Sequence, residues 1–207
     1  MNEGEYGFFA MLDRMQYIAR WVLMRNSRTE NIKEHSFDVA VIAQCLAMMY
    51  NRNNAGREGF IEIDPYKAAA LGLYHDCTEI ITGDLPTPIK YRNEEIKKAY
   101  KEVESEAAEA LAGLLPEEFH DDYIMLLDPK FDGDDGPVMK KVLKAADKIS
   151  AYIKCIREES SGNKEFSSAM KTLKAFIDDM DFPEANEFME KYIPPYTYNL
   201  DQLNGKE

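Results

Sequence analysis

The sequence predicts an all-α fold, organised as a single domain over residues 1–207. Along most of the chain, apolar residues recur at the three- and four-residue spacing that is typical of amphipathic helices. The alternation of apolar and polar residues that favours strands is not convincing anywhere, and no linker or internal repeat divides the chain. With 207 residues and 45% hydrophobic content, the chain is long enough to bury one sizeable core.

Three helices are predicted in the first part of the chain. The first is amphipathic over about residues 8–18, and the second, at about 33–50, is apolar almost all round after its first turn, which indicates a buried central helix. The third begins with Asp64 as the N-cap and Pro65 at the first helical position. Its apolar pattern predicts that it continues to about residue 80, through His75.

The remaining chain is predicted to be mostly helical as well. Gly83, Pro86 and Pro88 predict a loop over residues 82–91. The acidic stretch 128–136 lacks the glutamate that closes a calcium loop, which favours a solvated turn. The tail after residue 190 is predicted to be extended and packed by its tyrosines. The further helices are predicted at about 94–113, 116–127, 137–160, 164–181 and 184–192.

Composition limits the classes of function. The formal net charge of −13 disfavours binding to a nucleic-acid polymer. No apolar run approaches the roughly 20 residues that span a bilayer, and the N-terminal residues lack a signal-peptide pattern. We therefore expect a cytoplasmic protein without a membrane partner. Three cysteines without a C-x-x-C pair indicate neither a disulfide framework nor a thiolate zinc site.

Four residues suggest a metal site. His35 and His75 both lie in apolar surroundings, and Asp76 follows His75 directly. Asp147 lies on or beside the packed face of the predicted helix 137–160. A hydrogen-bonded core histidine and a salt-bridged aspartate are the alternatives, but a buried carboxylate needs a partner or a metal. Two imidazoles and two carboxylates suit a borderline divalent ion and leave positions open for water and a substrate oxygen.

Other residues suggest a substrate site beside that metal. On a continued helix Glu79, four residues after His75, would share its face and could orient or deprotonate a metal-bound water. Arg20 belongs to the one locally basic segment, and the only tryptophan, Trp21, follows it. This pair suits a sugar and its phosphate. Cys77 is read as a small buried hydrophobe, since a helix would point it away from His75.

Longer strings carry a more specific resemblance. "FFAMLDRMQYIARWVLMRNSRTENIKEHSFDVAVIAQCLA", "LYHDCTEIITGDLPTPIKY" and "KAADKISAYIKCIREESSGNKEF" resemble the HD-domain metal-dependent phosphohydrolases, and within them the bacterial 5'-deoxynucleotidase branch. The resemblance covers roughly residues 7–203. It implies a helical HD-domain fold, a homodimer and hydrolysis of 2'-deoxyribonucleoside 5'-monophosphates to deoxynucleoside and phosphate by a metal-activated water.

The resemblance also implies roles for individual residues. One divalent ion (Co, Mn, Zn, Ni, Fe or Cu) would be held by His35, His75, Asp76 and Asp147. Glu79 would be needed for catalysis, together with Asp76 and Arg20, and Arg20 would orient the phosphate. Trp21 would favour a deoxyribose. The loop residues expected to contact the nucleotide are Asp84, Leu85, Pro86 and Thr87.

Two departures and two competing functions remain open. Val22 stands where the family pattern leads us to expect a proline, which weakens the expectation of sugar selectivity, and Cys77 replaces a usual small apolar residue. The chain could be an HD phosphohydrolase acting on a cyclic dinucleotide or a triphosphate. It could also be a non-catalytic regulatory protein that binds metal or nucleotide. The presence of Arg20, Trp21 and Glu79 favours the deoxynucleotidase.

Overall fold

A computed structural model describes residues 4–90 and 92–205, with Thr87 described by its backbone alone. The all-α prediction is confirmed, since within these residues the only β-type pairing is an isolated antiparallel bridge between Ala19 and Asn31. Whether residues 1–207 form one domain stays a prediction. The α-helices are α1 (Phe8–Asp13), α2 (Ile32–Asn54), α3 (Pro65–Tyr74), α4 (Glu79–Thr82), α5 (Thr87–Lys90), α6 (Glu94–Ala112), α7 (His120–Leu127), α8 (Gly136–Ser160), α9 (Ser167–Asp178), α10 (Pro183–Tyr192) and α11 (Leu200–Leu203).

Helix α2 is the centre of the fold, and α3 and α8 both pack against it. Its N-terminus is capped by Asn31, whose side chain accepts a hydrogen bond from the Glu34 N–H. The contact with α3 requires a glycine. A Cβ atom on Gly72 would lie 2.7 Å from the Cα of Ala40, which is closer than packed atoms approach. Gly72 therefore sets how closely α2 and α3 can lie.

Two clusters of buried apolar side chains form the core, and the candidate ligands lie where the clusters meet along the chain. On α2, Ile32 belongs to the cluster with α1, α6 and α7, whereas Val39 belongs to the cluster with α8 and α10. His35 lies between them. In the same way, Leu71 and Cys77 belong to different clusters and flank His75 and Asp76.

The apolar pattern of the sequence predicted that α2 is buried on almost every side. In the structure one face of α2 is exposed. Ten of its residues are buried, but Phe37, Val41 and Met48 are each about half exposed or more. At 100° per residue these three positions fall within a narrow stripe on one face of the helix. The stripe is apolar surface that the rest of the described chain leaves uncovered.

The predicted first and third helices are shorter than expected. The first changes to a 3₁₀ turn at Arg14–Tyr17 before the chain becomes extended at Ile18. Helix α3 ends at Tyr74, and residues 75–78 form turns. The ring Nδ1 of His75 lies 2.7 Å from the Gly72 carbonyl oxygen. This contact occupies the acceptor that the Asp76 N–H would use if the helix continued.

Two segments predicted without helix contain short helical turns. Residues 87–90 form α5, because a proline is tolerated at the second position of a first turn. The tail contains a 3₁₀ turn at Pro194–Thr197 and then α11, which Asn199 starts with a capping box. Tyr196 and Tyr198 are 41% and 47% exposed, so the prediction of an extended tail packed by tyrosines was wrong. Among the described helices, none is long and apolar enough to cross a membrane.

Candidate active site

His35 and His75 approach each other from α2 and from the end of α3, with ring centroids 5.1 Å apart. In each ring, the nitrogen Nδ1 contacts a neighbouring polar group. His35 Nδ1 lies 2.9 Å from Ser150 Oγ, and His75 Nδ1 lies 2.7 Å from the Gly72 carbonyl oxygen. A carbonyl only accepts, so His75 Nδ1 carries the proton. In the neutral ring its Nε2 then holds a lone pair.

The Nε2 atoms of both histidines point toward carboxylates without bonding to them. His35 Nε2 is 3.2 Å from Asp147 Oδ1, and His75 Nε2 is 3.1 Å from Asp76 Oδ2. Both nitrogens are buried, and neither has a partner with hydrogen-bond geometry among the described residues. One ligand atom from each of His35, His75 and Asp147 lies within 4.8 Å of the others. These atoms converge on one point.

Asp76 joins this set through its Oδ2, which is also 3.6 Å from His35 Nε2. The four predicted ligands are therefore brought together from α2, the turn after α3, and α8. Two imidazoles whose Nδ1 atoms are held by neighbours, together with two carboxylates, are a donor set that borderline divalent ions take in proteins. The arrangement fits a metal ion.

The electrostatics of three of the four groups agree with that fit. Burial lowers the pKa of the fourth, His75, but the Asp76 and Asp147 carboxylates outweigh burial and raise it above its usual value. Burial lowers the pKa of His35 to about 4, and Arg20 adds to the decrease, so this ring is neutral at pH 7. Burial opposes ionisation of Asp147, but His35, Lys148 and His75 hold its pKa well below the usual range. Burial likewise opposes ionisation of Asp76, yet His75, His35 and Arg20 lower its pKa. The carboxylates are thus charged and the His35 ring is ready to donate its lone pair.

Arg20 is held against the metal-site carboxylates. Its Nη1 donates to Asp76 Oδ2 at 3.2 Å, and its backbone N–H donates to the Glu30 carbonyl at 2.9 Å. The second bond belongs to the short pairing of residues 18–20 with 30–32, which ties Arg20 to the start of α2 and hence to His35. Arg20 Nε is buried and has no hydrogen-bond partner in the described part of the chain.

Glu30 is a buried acid that sequence reasoning missed. Its Oε1 lies 4.0 Å from Arg20 Nε and 3.9 Å from His35 Nδ1, and burial raises its pKa. At these distances it acts on both groups by charge and not by a hydrogen bond. Nothing in "RTEN" marks this glutamate as interior, because its burial depends on the pairing between residues 18–20 and 30–32.

Glu79 is buried on α4. The predicted reason for its proximity to His75, a shared face of one continuous helix, was wrong. Helix α3 ends before it, so His75 and Glu79 do not share a face of one helix. The turn at 75–78 nevertheless leaves Glu79 close to the site. Burial, followed by the charges of Asp76 and Asp84, raises its pKa to about 10. Its Oε2 is buried without a hydrogen-bond partner among the residues described.

A cavity of about 300 Å³ opens beside the ligand set. Asp147 forms part of its wall, as do Arg20, Trp21, Asp84 and Pro86. Leu85 is half-buried, and the Thr87 side chain lies outside the described residues, so contacts of these two with a substrate stay predictions. The rest of the wall is largely apolar, and its residues were not predicted from the sequence to line a substrate site. They are Val22, Leu23, Met24, Pro88, Lys148, Ala151 and Leu173.

Trp21 has an unusual backbone conformation for an aromatic residue. Its φ is 58°, in the left-handed region that costs a non-glycine residue about 1–2 kcal/mol. The carbonyl oxygen of Trp21 accepts from the Met24 N–H at 2.9 Å and from Asn26 Nδ2 at 3.1 Å. Its ring meets Phe166 edge-on, with centroids 5.3 Å apart. Such strain is typical of residues that a functional site needs in one orientation.

An interior ion pair anchors the segment after Trp21. Glu158 accepts the Ser27 N–H at 2.8 Å and Asn163 Nδ2 at 2.7 Å, and it forms a short contact with Lys154. The Lys154 ammonium also donates to the Arg28 carbonyl at 2.6 Å. Lys154 and Glu158 are one turn apart on α8 and almost fully buried. The i,i+4 spacing of Lys154 and Glu158 can be read from the sequence, but the burial of the two side chains cannot.

Cys77 is not a nucleophile in this site. It is fully buried, and burial raises the pKa of its thiol far above neutral pH. A thiol that stays protonated is a poor nucleophile. The reading of Cys77 as a small hydrophobe agrees with this position.

Comparison with known proteins decides the family. The family model described as "5'-deoxynucleotidase YfbR-like" matches residues 7–196. The chain belongs to the YfbR-like 5'-deoxynucleotidase family. A curated relative, the 5'-deoxynucleotidase of Shewanella oneidensis, is 41% identical over 196 residues, which cover 95% of this chain and 96% of the relative. The resemblance stated from the sequence is confirmed.

Solved structures show that this YfbR-like chain has the HD-domain fold. An HD-domain phosphohydrolase from Listeria innocua superposes with a TM-score of 0.74 at 23% identity, covering 96% of this chain and 95% of that one. The HD phosphohydrolase DatZ of cyanophage S-2L, solved with dA and one catalytic Zn²⁺, gives a TM-score of 0.57 at 20% identity, covering 90% and 95%. Both likenesses concern the fold.

Proposed function

We propose that this YfbR-like protein hydrolyses 2'-deoxyribonucleoside 5'-monophosphates to deoxynucleoside and phosphate, using one divalent metal ion. The proposal depends most on one observation. Two buried, unbonded imidazole nitrogens and two ionised carboxylates converge beside a cavity that contains Arg20 and Trp21. Family membership and the named deoxynucleotidase relative support the reaction.

His35, His75, Asp76 and Asp147 would hold the metal. When bound, such an ion lowers the pKa of a coordinated water and polarises a phosphoryl oxygen. The one catalytic Zn²⁺ in the cyanophage protein supports a single ion. The donor set is compatible with Co, Mn, Zn, Ni, Fe or Cu, because imidazole and carboxylate ligands select weakly among these metals.

The charges around Glu79 also favour a cation. Asp76, Asp84 and Asp147 lie near Arg20, which is the nearest compensating guanidinium. In this acidic surrounding Glu79 has its pKa raised to about 10 and keeps its proton at pH 7. Added positive charge at the ligand set would lower that pKa. Glu79 could then orient the attacking water and accept its proton.

The chain's own residues would position the substrate as follows. Arg20 binds the phosphate through guanidinium N–H groups that Asp76 does not occupy, while Nη1 stays on Asp76. Trp21 forms the wall against the sugar, and Asp84 faces the nucleoside from the opposite loop. The water oxygen forms a bond to phosphorus as the bond from phosphorus to the 5'-oxygen breaks. The leaving 5'-oxygen takes up a proton to give the deoxynucleoside, which balances the proton that Glu79 accepts from the water. No covalent enzyme intermediate is required.

A homodimer and a cytoplasmic location belong to the same proposal. The stripe of Phe37, Val41 and Met48 on α2 supports a second copy as its cover, and Tyr66 and Leu73 add exposed apolar surface on the neighbouring α3. The net charge of −13 argues against a nucleic-acid polymer as partner. Sedimentation of the wild-type protein beside a Phe37→Glu variant tests the dimer: only the wild type should dimerise.

The reaction is tested by measuring released phosphate from dAMP, AMP, dATP and a cyclic dinucleotide, with each candidate metal. We expect hydrolysis of dAMP in preference to AMP, and none of the other two. A Glu79→Gln variant should lose turnover while it keeps its metal content. Activity only on dATP would overturn the proposed substrate, and no activity with any metal would favour a binding protein.

A further inference from the structure

Lys148 occupies a position that neither the sequence nor the family comparison assigns. It follows Asp147 on α8 and lines the same cavity as Arg20 and Trp21. Its Nζ donates to Asp147 Oδ2 at 2.9 Å, and 33% of its side chain is exposed. The other oxygen of Asp147, Oδ1, faces His35. The Lys148 ammonium therefore lies at the boundary between the ligand set and the cavity.

The charges on the cavity wall are poorly matched to a phosphate. Among the described residues that line it, the acids are Asp84 and Asp147 and the cations are Arg20 and Lys148. Arg20 is already engaged by Asp76 and lies close to Glu30. A nucleoside monophosphate brings about two further negative charges near neutral pH. A second cation beside Arg20 is what such a ligand needs.

We propose that Lys148 is a second phosphate-binding residue, acting together with Arg20. The inference rests on the proposed function for the identity of the substrate. An ammonium has three donors and can serve a carboxylate and a phosphate oxygen at the same time. The Asp147 contact keeps Lys148 at the metal end of the cavity. The apolar wall of Val22, Leu23 and Leu173 is better suited to a base.

A purely supporting role predicts a different result. If Lys148 only neutralised Asp147, its removal would change the affinity for the metal and would affect all ligands alike. If it binds phosphate, its removal would weaken ligands that carry phosphate and leave deoxyadenosine unchanged. The two roles can thus be separated by binding measurements that need no turnover.

Lys144 provides a matched control. It lies one turn before Lys148 on α8, and the ammonium groups of both approach the Phe176 ring, at 4.9 Å and 6.0 Å from the centroid. Lys144 is exposed and is not among the residues that line the cavity. Lys144→Met therefore removes a similar charge from the same helix without touching the proposed phosphate site.

The experiment measures binding of inorganic phosphate and deoxyadenosine to metal-loaded protein by calorimetry, and binding of dAMP in the Glu79→Gln background, where it is not hydrolysed. Metal content is determined for each variant. Lys148→Met should weaken phosphate and dAMP about tenfold or more, the size typical of a lost charge-assisted bond. Deoxyadenosine binding and metal content should not change. Lys148→Arg should recover most of the loss, and Lys144→Met should match the wild type.

Three results would overturn the assignment. If Lys148→Met bound phosphate within about twofold of the wild-type affinity, the assignment would be wrong, since such a change is smaller than the effect of losing one hydrogen bond. Equal weakening of deoxyadenosine binding would show that Lys148 contacts the nucleoside base and not the phosphate. Loss of metal in step with phosphate would show that it acts through Asp147. Hydrolysis of dAMP by the wild type tests the proposed function separately.

Discussion

The two ends of the cavity are built in different ways. At the metal end, His35 and Asp147 project from long helices, and His75 closes α3, so core packing sets the distances between them. At the substrate end, Arg20, Trp21 and Asp84 belong to connecting segments. The segment that contains Arg20 and Trp21 is held by polar bonds, above all those of the buried pair Glu158 and Lys154 to Ser27 and Arg28.

The difference indicates which property each end controls. Ligand geometry fixed by helix packing is precise and insensitive to changes on the surface. Loops held by a few polar bonds can be altered one bond at a time, and loops commonly carry specificity for that reason. We therefore expect substitutions at the metal end to remove activity together with metal. Those at the substrate end should change KM while the metal stays bound.

The largest effect is expected from Asp147→Asn, which removes a charged ligand candidate without changing its shape. Metal affinity and kcat/KM should both fall by at least about 100-fold, beyond the range seen when only a supporting partner of a ligand is lost. Metal analysis and phosphate release measure the two. Asp181→Asn, at a 96% exposed carboxylate, is the control and should behave as wild type. Retention of metal by Asp147→Asn would contradict the assignment.

Glu158→Gln should weaken substrate binding without affecting the metal site. It leaves the buried Lys154 ammonium without its bonded carboxylate, and losing one partner of a buried pair costs about 3–5 kcal/mol. Chemical denaturation should show that loss, and KM should rise while metal content stays unchanged. Glu159→Gln, at the exposed neighbouring acid, is the control. Loss of metal from Glu158→Gln would mean that the two ends are not separate.

Gly72→Ala should damage the metal end through the backbone. The added methyl group would lie 2.7 Å from Ala40 Cα, so α2 and α3 must move apart. We expect a loss of roughly 1–3 kcal/mol in the free energy of unfolding, as for overpacked cores, and weaker metal binding. Gly113→Ala, whose methyl group meets only carbonyl oxygens at 3.3 Å or more, serves as the comparison in the same denaturation and metal assays.

The stability supplied by Glu158 should depend on pH in a defined direction. Its bonds to Lys154, Ser27 and Asn163 outweigh burial and lower its pKa from 4.5 to about 2. A depressed pKa gives stability that is complete above the unfolded-state pKa and is lost as the pH falls toward the folded-state value. The difference in unfolding free energy between wild type and Glu158→Gln should therefore shrink between pH 4.5 and pH 2. A difference that stays constant there would contradict this account.

The smallest effect is expected from Asn26→Ala. This change removes two side-chain bonds, to the carbonyl oxygens of Trp21 and Met24. Each is worth about 0.5–1.5 kcal/mol, so Trp21 should lose part of its support and KM for dAMP should rise several-fold. Metal content should stay at the wild-type level. An unchanged KM would show that the φ of 58° at Trp21 is maintained by other contacts.

Much of this protein was determined by the sequence itself. The three- and four-residue spacing of apolar side chains predicts the helices, because one face of each must leave water. Polar His35, His75 and Asp76 in apolar surroundings predict the metal-ligand candidates for the complementary reason, that buried polar groups need partners. The resemblance of "LYHDCTEIITGDLPTPIKY" to the deoxynucleotidases supplied the loop residues Asp84, Leu85, Pro86 and Thr87, which spacing alone would not have done.

The tertiary structure decided what depends on contacts distant along the chain. Helix α3 ends at Tyr74, where His75 contacts the Gly72 carbonyl, so a turn, and not a shared helix face, carries Glu79 to the site. Glu30 and Glu158 read as surface acids until the packing of other segments buries them. Periodicity reports only the side of a helix that faces the core. Which buried charges meet there is set by how the helices pack.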